Sequence, residues 1–395
     1  MNTLPRNVWL LTISQALLLS VSSMVVFVGG LVGSRLAPVE NLATLPVASI
    51  VIGTALTIPP VTLLMKTIGR RKSFFAITLF SILVALLAGY AISISSFYLF
   101  CFSTFLLGST YSCVMQFRFA AMESVSEELL PKAASMVLVG GIAAAFIGPE
   151  VAVFGKDLLQ VEFAGSFILL SGLFVLGLLV LLGFKTPVIQ EEKATQNQRP
   201  MNVILKQPIF WIAILSATVG YAVMSFIMTA TPVSMHVMDG HSLNHTKWVI
   251  QSHIIAMFLP SIITAWIIRK IGVSKMMIAG LFAYLICIAI AFSGNQIGNY
   301  WVSLVLLGIG WNFLFIGATT LLPQSYHTNE RFKVQALNDF VIFGVQAVAS
   351  LSAGWFIFAV GWKMLLILTL PFILFQLALL IWWSTKKTVN KDLSQ

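Results

Sequence analysis

Long apolar runs separated by short polar breaks fill almost the whole chain, and twelve of them reach the roughly 20 residues that a helix needs to cross a hydrocarbon core. They lie at Val8–Gly30, Ala43–Met65, Phe74–Ile92, Phe97–Ala121, Ala133–Phe154, Phe163–Phe184, Ile209–Pro232, Trp248–Ile268, Met276–Phe292, Tyr300–Leu322, Val334–Phe358 and Trp362–Trp383. The pattern predicts twelve transmembrane helices. The first run is too long for the core of a signal peptide and has no small-residue cleavage pattern, so it is expected to be a mature helix. One sizeable polar segment, Lys185–Gln207, is rich in Glu, Lys, Gln, Asn and Pro around 190–200 and is expected to be a flexible linker. It divides the chain into a first half at 1–184, a linker at 185–208 and a second half at 209–395.

The halves echo one another. Thr62–Lys72 reads T-L-L-M-K-T-I-G-R-R-K, and Ala265–Lys275, 203 positions later, reads A-W-I-I-R-K-I-G-V-S-K. Leu106-Leu107-Gly108 returns as Leu306-Leu307-Gly308, 200 positions on. A basic, Gly-containing turn after the second run of each half points to internal duplication, the construction common among membrane carriers.

Composition excludes a soluble globule. Of 395 residues, 58% are hydrophobic and 9% charged, with a mean hydropathy of +0.96, which leaves too little polar surface to face water. If both termini are cytoplasmic, 18 of the 23 Lys and Arg residues fall on that side and 4 on the other, with Arg118 inside a run. This positive-inside bias accounts for the net charge of +10 through topology and anionic lipid, with no call for a nucleic-acid partner. Cys101, Cys113 and Cys287 all fall in runs and read as small buried thiols. The sequon at Asn244-His245-Thr246 reads as chance in a compact, bacterial-looking chain.

Over essentially its whole length the chain resembles the major facilitator superfamily. The turn Gly69-Arg70-Arg71-Lys72 matches the family's conserved Gly and basic cluster between spans two and three. Thr62 and Lys66 stand where the pattern has an early Gly and an Asp, so the turn lacks its usual acidic latch. Gly148-Pro149 in span five resembles the Gly-Pro motif of antiporter-type members, and is otherwise a tight helix crossing. Thr104 occupies the place of the drug-antiporter arginine in span four. The resemblance implies an all-α membrane protein of two pseudo-symmetric six-helix bundles around a central cavity. Gly69, Arg70, Arg71, Lys72, Gly148 and Pro149 are its candidate gating residues.

Ionisable residues inside the bilayer are costly, which makes them functional candidates. Arg118 lies in span four, Glu150 in span five, His253 in span eight and Asp339 in span eleven, with Glu123 at the edge of span four. Resemblance implies that spans five and eight meet, so Glu150 and His253 are expected to form a proton-coupling pair, with Asp339 a third candidate. Arg118 has two readings. It binds an anionic solute through its guanidinium fork, or it pairs with a carboxylate, of which Asp339 suits better than Glu123 because five residues fall off the helical step. Softer candidates for substrate contact are Gln15, Gln116, Met228, Gln251, Trp311, Asn312 and Asn338, joined by Met224 and Gln346.

Catalysis has no support. The chain carries no phosphate-binding Gly loop and no recognisable nucleophile with its base. His236, His241, His245 and His253 cluster around one loop, but no metal site or cofactor is expected. The expected function is secondary active transport of a small anionic or zwitterionic organic solute across a bacterial inner membrane, by alternating access and with protons as the coupling ion. A siderophore is one fitting example. The expected partners are the solute, protons and the lipid bilayer, the expected assembly a monomer. Proton-driven efflux of lipophilic compounds, or a non-transporting receptor on the same fold, are the alternatives.

Overall fold

The structure, a computed structural model, describes residues 4–39, 42, 45–186 and 198–392. Those residues are helical and short-looped. In chain order the helices are α1 (Arg6–Leu36), α2 (Leu45–Ile68), α3 (Arg70–Ser93), α4 (Phe97–Met115), α5 (Phe117–Met122), α6 (Leu130–Gly155), α7 (Ala164–Leu182), α8 (Met201–Leu205), α9 (Pro208–Pro232), α10 (Leu243–Phe258), α11 (Ser261–Ile271), α12 (Val273–Ser293), α13 (Ile297–Leu321) and α14 (Arg331–Asp392). Among them, eleven stretches are long and apolar enough to cross a membrane, and a twelfth, Trp248–Phe258 with Ser261–Ile271, qualifies across a 44° bend. With no water in the hydrocarbon, a backbone that satisfies itself within each helix is the way such segments cross. The protein is a multi-pass membrane protein.

Three predicted runs differ in detail. Span eight is broken because Pro260 has no N–H to donate and its ring crowds the preceding turn. Span four is broken at Gln116, whose N–H bonds Cys113 three residues back and so tightens the turn between α4 and α5. Spans eleven and twelve lie in the single stretch α14, turned at Gly361, where φ is 76°.

The described residues form two compact units, one of Met1–Glu191 with Phe332–Ala347, the other of Glu192–Arg331 with Val348–Gln395. The middle of the expected linker, 187–197, lies outside the described residues. Its far end is anchored in the second unit, where Arg199 donates to Glu330 through Nε at 2.9 Å and Nη2 at 2.6 Å, and Gln198 donates to the Asn329 carbonyl.

The internal repeat is visible in the backbone. Gly69 and Gly272 precede α3 and α12 with φ,ψ of 84°,159° and 86°,159°, a region essentially closed to residues with a Cβ. Helix crossings repeat too. In the first unit Gly108 of α4 sits so close to α2 that an added Cβ would strike the backbone of Gly53 and Thr54. In the second, a Cβ on Gly308 of α13 would lie 2.7 Å from the His253 carbonyl and 2.9 Å from Ala256 of α10. Positions 53 and 256 are 203 apart, the offset of the sequence repeat.

Candidate functional site

The first unit holds a buried network of charges. Gly69 reverses the chain so that α3 begins at Arg70, and the 100° step of a helix then sends Arg70 inward while Arg71 and Lys72 stay exposed. Arg70 grips Glu123 with both prongs of its fork, Nε to Oε2 at 2.7 Å and Nη2 to Oε1 at 2.5 Å. Its Nη2 also donates to Gln335 at 2.8 Å, and Phe332 covers the guanidinium at 5.1 Å.

A second pair lies deeper. Arg118, 2% exposed, donates from Nη2 to Oδ1 of the fully buried Asp339 at 2.5 Å, and Phe119 stacks under its guanidinium at 4.6 Å. Asn338 donates to the same oxygen at 2.8 Å. Gln116, at the break in span four, joins the two pairs: its amide nitrogen donates to Asp339 Oδ2 at 2.7 Å and its oxygen accepts from Arg70 Nη1 at 3.5 Å. In each of the two pairs one cation meets one carboxylate. Each carboxylate holds at least two charge-assisted hydrogen bonds, which offset the desolvation that burial imposes.

The acidic partner absent from the Gly69 turn is thus supplied by Glu123 of another span, 53 positions on. Arg118 reaches Asp339, 221 positions away. Gln335 was not singled out from the sequence, although Gln335, Asn338 and Asp339 fall at the spacing that places them on one helical face.

The other candidates scatter. Gly140 and Gly148 lie two turns apart on α6, and both let α1 approach so closely that an added Cβ would meet backbone carbonyls at Thr12 and Ser20. Gln15 of α1 is buried on that seam. Pro149 is half-buried, and Glu150 next to it is exposed.

In the second unit, His253 is fully buried and its Nδ1 lies 2.8 Å from the Leu304 carbonyl of α13. Asn312 donates to the Met257 carbonyl and to Ser261 Oγ, both at 2.7 Å, bracketing the break at Pro260. Trp311 is held among Tyr221, Phe258 and Phe315, stacked on the last at 4.9 Å. His253 Nε2, Trp311 Nε1 and Asn312 Oδ1 are buried with no hydrogen-bond partner among the described residues. Met224 is buried, while Met228, Gln251 and Gln346 are half-buried. The His cluster does not converge: His241 bonds the Asn295 carbonyl, His245 opens α10, and the His236 side chain lies outside what is described.

A helical bundle with eleven to twelve apolar crossings, duplicated in sequence and backbone, with two ion pairs buried in one unit, defines a membrane carrier. The sequence model of the Major Facilitator Superfamily matches residues 9–248, and the chain belongs to that family. It is a transporter of a small molecule rather than an enzyme, and it has the family's fold. It is similar to the riboflavin transporter RfnT of Brucella anthropi, at 37% identity over 379 residues and 95% of both chains. It is also 29% identical to the uncharacterized MFS-type transporter YddS of Bacillus subtilis, over 80% of this chain and 76% of that one. Among solved structures it resembles a bacterial homologue of the iron transporter ferroportin in its outward-facing state, with TM-score 0.73, 16% identity and 95% and 99% of the two chains covered. It resembles equally the human organic anion transporter MFSD10, with TM-score 0.76, 12% identity and 96% and 100% covered.

Proposed function

We propose that the protein carries riboflavin, or a closely similar flavin, across a bacterial inner membrane by alternating access, with both termini cytoplasmic and a proton as the coupling ion. The observation that carries the solute assignment is the Brucella anthropi relative, named a riboflavin transporter and matched over 95% of both chains. Chemistry is in keeping with it. The Arg118 guanidinium is engaged by Asp339, which weakens the case for an anion, whereas a neutral heteroaromatic polyol suits aromatic and amide groups. Buried polar atoms without partners among the described residues at His253, Trp311 and Asn312 are donor and acceptor capacity open to a solute.

Proton coupling is assigned to Asp339. Protonation of that carboxyl removes the charge that holds Arg118, Gln116 and Asn338, so one proton reorganises three side chains. Glu150 and His253 are secondary candidates. The two halves, 1–184 and 209–395, act as the rocking bodies of a monomer.

The test is uptake of radiolabelled riboflavin into proteoliposomes with and without an imposed proton gradient, set against a lipophilic cation and an organic acid. Saturable, riboflavin-selective uptake is expected, stimulated by the gradient and unresponsive to it in Asp339→Asn. Selective transport of the cation or the acid would overturn the solute assignment, and gradient-driven uptake intact in Asp339→Asn would overturn the coupling.

A further inference from the structure

At the end of the first unit that carries the Gly69 turn, α3 and α7 part to leave a cavity of about 660 Å3. Its floor is apolar, built from Ile68, Phe75, Ala76, Leu79, Leu178 and Leu182. Arg71 and Lys72 stand over its rim, both exposed. Among the described residues no carboxylate lines it, and the first turn of α3 contains none either. Arg71 ties one side to the other, donating from Nη2 to the Leu182 carbonyl at 3.2 Å, and retains further N–H donors for another acceptor. Ile68, Leu79 and Leu182 are all more than two-fifths exposed, an apolar surface suited to hydrocarbon.

We propose that this cavity binds one anionic phospholipid, its phosphate and acidic headgroup against Arg71 and Lys72 and an acyl chain along the floor. Charge complementarity selects the occupant. Two cations with no carboxylate beside them among the described residues leave a positive field that a zwitterionic headgroup matches only partly, and basic recesses between spans at the charge-rich face are the usual seats of acidic lipid. A free anion in water gains nothing from the apolar floor. The two basic residues are therefore set apart by partner from Arg70: one inward charge serves the protein's own carboxylates, the next two serve the bilayer.

The experiment uses the full-length protein in nanodiscs of phosphatidylcholine doped with phosphatidylglycerol, followed by native mass spectrometry of retained lipid. The wild type is expected to retain phosphatidylglycerol in preference to phosphatidylcholine by about thirtyfold, the scale of two basic groups at an anionic surface. Arg71→Ala/Lys72→Ala should lose most of that preference, while Arg269→Ala/Lys275→Ala, with the same charge removed from the second copy of the turn, should keep it. Ala76→Trp, which fills the floor and leaves both charges in place, should lower retention of either lipid. Equal retention of the two lipids by the wild type, an unchanged preference in Arg71→Ala/Lys72→Ala, or a co-purifying peptide in place of lipid would each overturn the proposal.

Discussion

Asn312 donates a 2.7 Å hydrogen bond to the carbonyl of Met257, three residues before the break at Pro260 in span eight. A second bond reaches Ser261 Oγ on the far side of Pro260. One amide on α13 therefore joins the two parts of a bent span, satisfying polar groups that the interrupted ladder would leave exposed to hydrocarbon. Asn312→Ala should lower the melting temperature in detergent, by an amount equivalent to ~2 kcal/mol for two buried hydrogen bonds. Asn312→Asp, which keeps the volume and loses the N–H donors, should cost at least as much.

The Arg118–Asp339 pair is expected to behave as a unit. Removing one charge strands the other in the interior, so Arg118→Gln and Asp339→Asn should each destabilise by ~3–5 kcal/mol, and the double variant by clearly less than the sum. Thermal unfolding of the four proteins of the cycle measures the coupling. Simple additivity would mean that the contact contributes nothing.

Glycines divide by what surrounds them. Gly108→Ala drives a methyl into the backbone of α2 and should block folding or lower stability by several kcal/mol, whereas Gly172→Ala on α7, with nothing within 4 Å, should be neutral or stabilising by up to about 1 kcal/mol. Gly69→Ala and Gly272→Ala meet no atoms at all, yet each should cost ~1–3 kcal/mol through φ and ψ alone. Yield of folded protein by size-exclusion chromatography, followed by melting temperature, ranks the series.

Glu162 lies in the loop between α6 and α7, paired with Arg35 and, at 3.3 Å, with Lys156. Hydrogen bonds from Arg35 and then Lys156 hold its carboxyl below the ordinary glutamate range. A carboxyl whose proton affinity is lower in the folded protein stabilises it above the unfolded pKa, near 4.3, and that contribution disappears as pH falls through the folded value. Melting temperatures of wild type and Glu162→Gln should therefore differ slightly at pH 7 and converge as the solution is acidified below pH 4. A gap that widens on acidification would contradict the sign.

Span positions were readable from the chain because hydrocarbon demands about 20 apolar residues in a row, whatever the neighbours are. Interruptions were less so. Pro260 carried a visible signal for the bend in span eight, but Gln116 breaks span four with neither Pro nor Gly, in a place where its side chain serves Arg70 and Asp339. Arg118, Asp339 and Asn338 stood out because ionisable and amide groups are rare inside apolar runs. The pairing of Arg70 with Glu123 and Gln335 did not, since partners 53 and 265 positions away leave no local pattern. Likewise the bonds from the Asn312 amide nitrogen to Met257 and Ser261, 55 and 51 positions away, leave no trace in the sequence around Trp311-Asn312.

Gly69 and Gly272 have the same backbone angles to within a few degrees, yet the first is followed by a buried arginine and the second by Val273. Ancestry has preserved the bend and let its decoration diverge. What two consecutive crossings require in order to turn back is a residue without a side chain, and that need is met twice. Among the described residues the clasp after the first bend joins Arg70 to Glu123, whereas in the second unit Val273 opens the helix and Arg199 holds the carboxylate of Glu330, so two like bends are accompanied by differently built ion pairs.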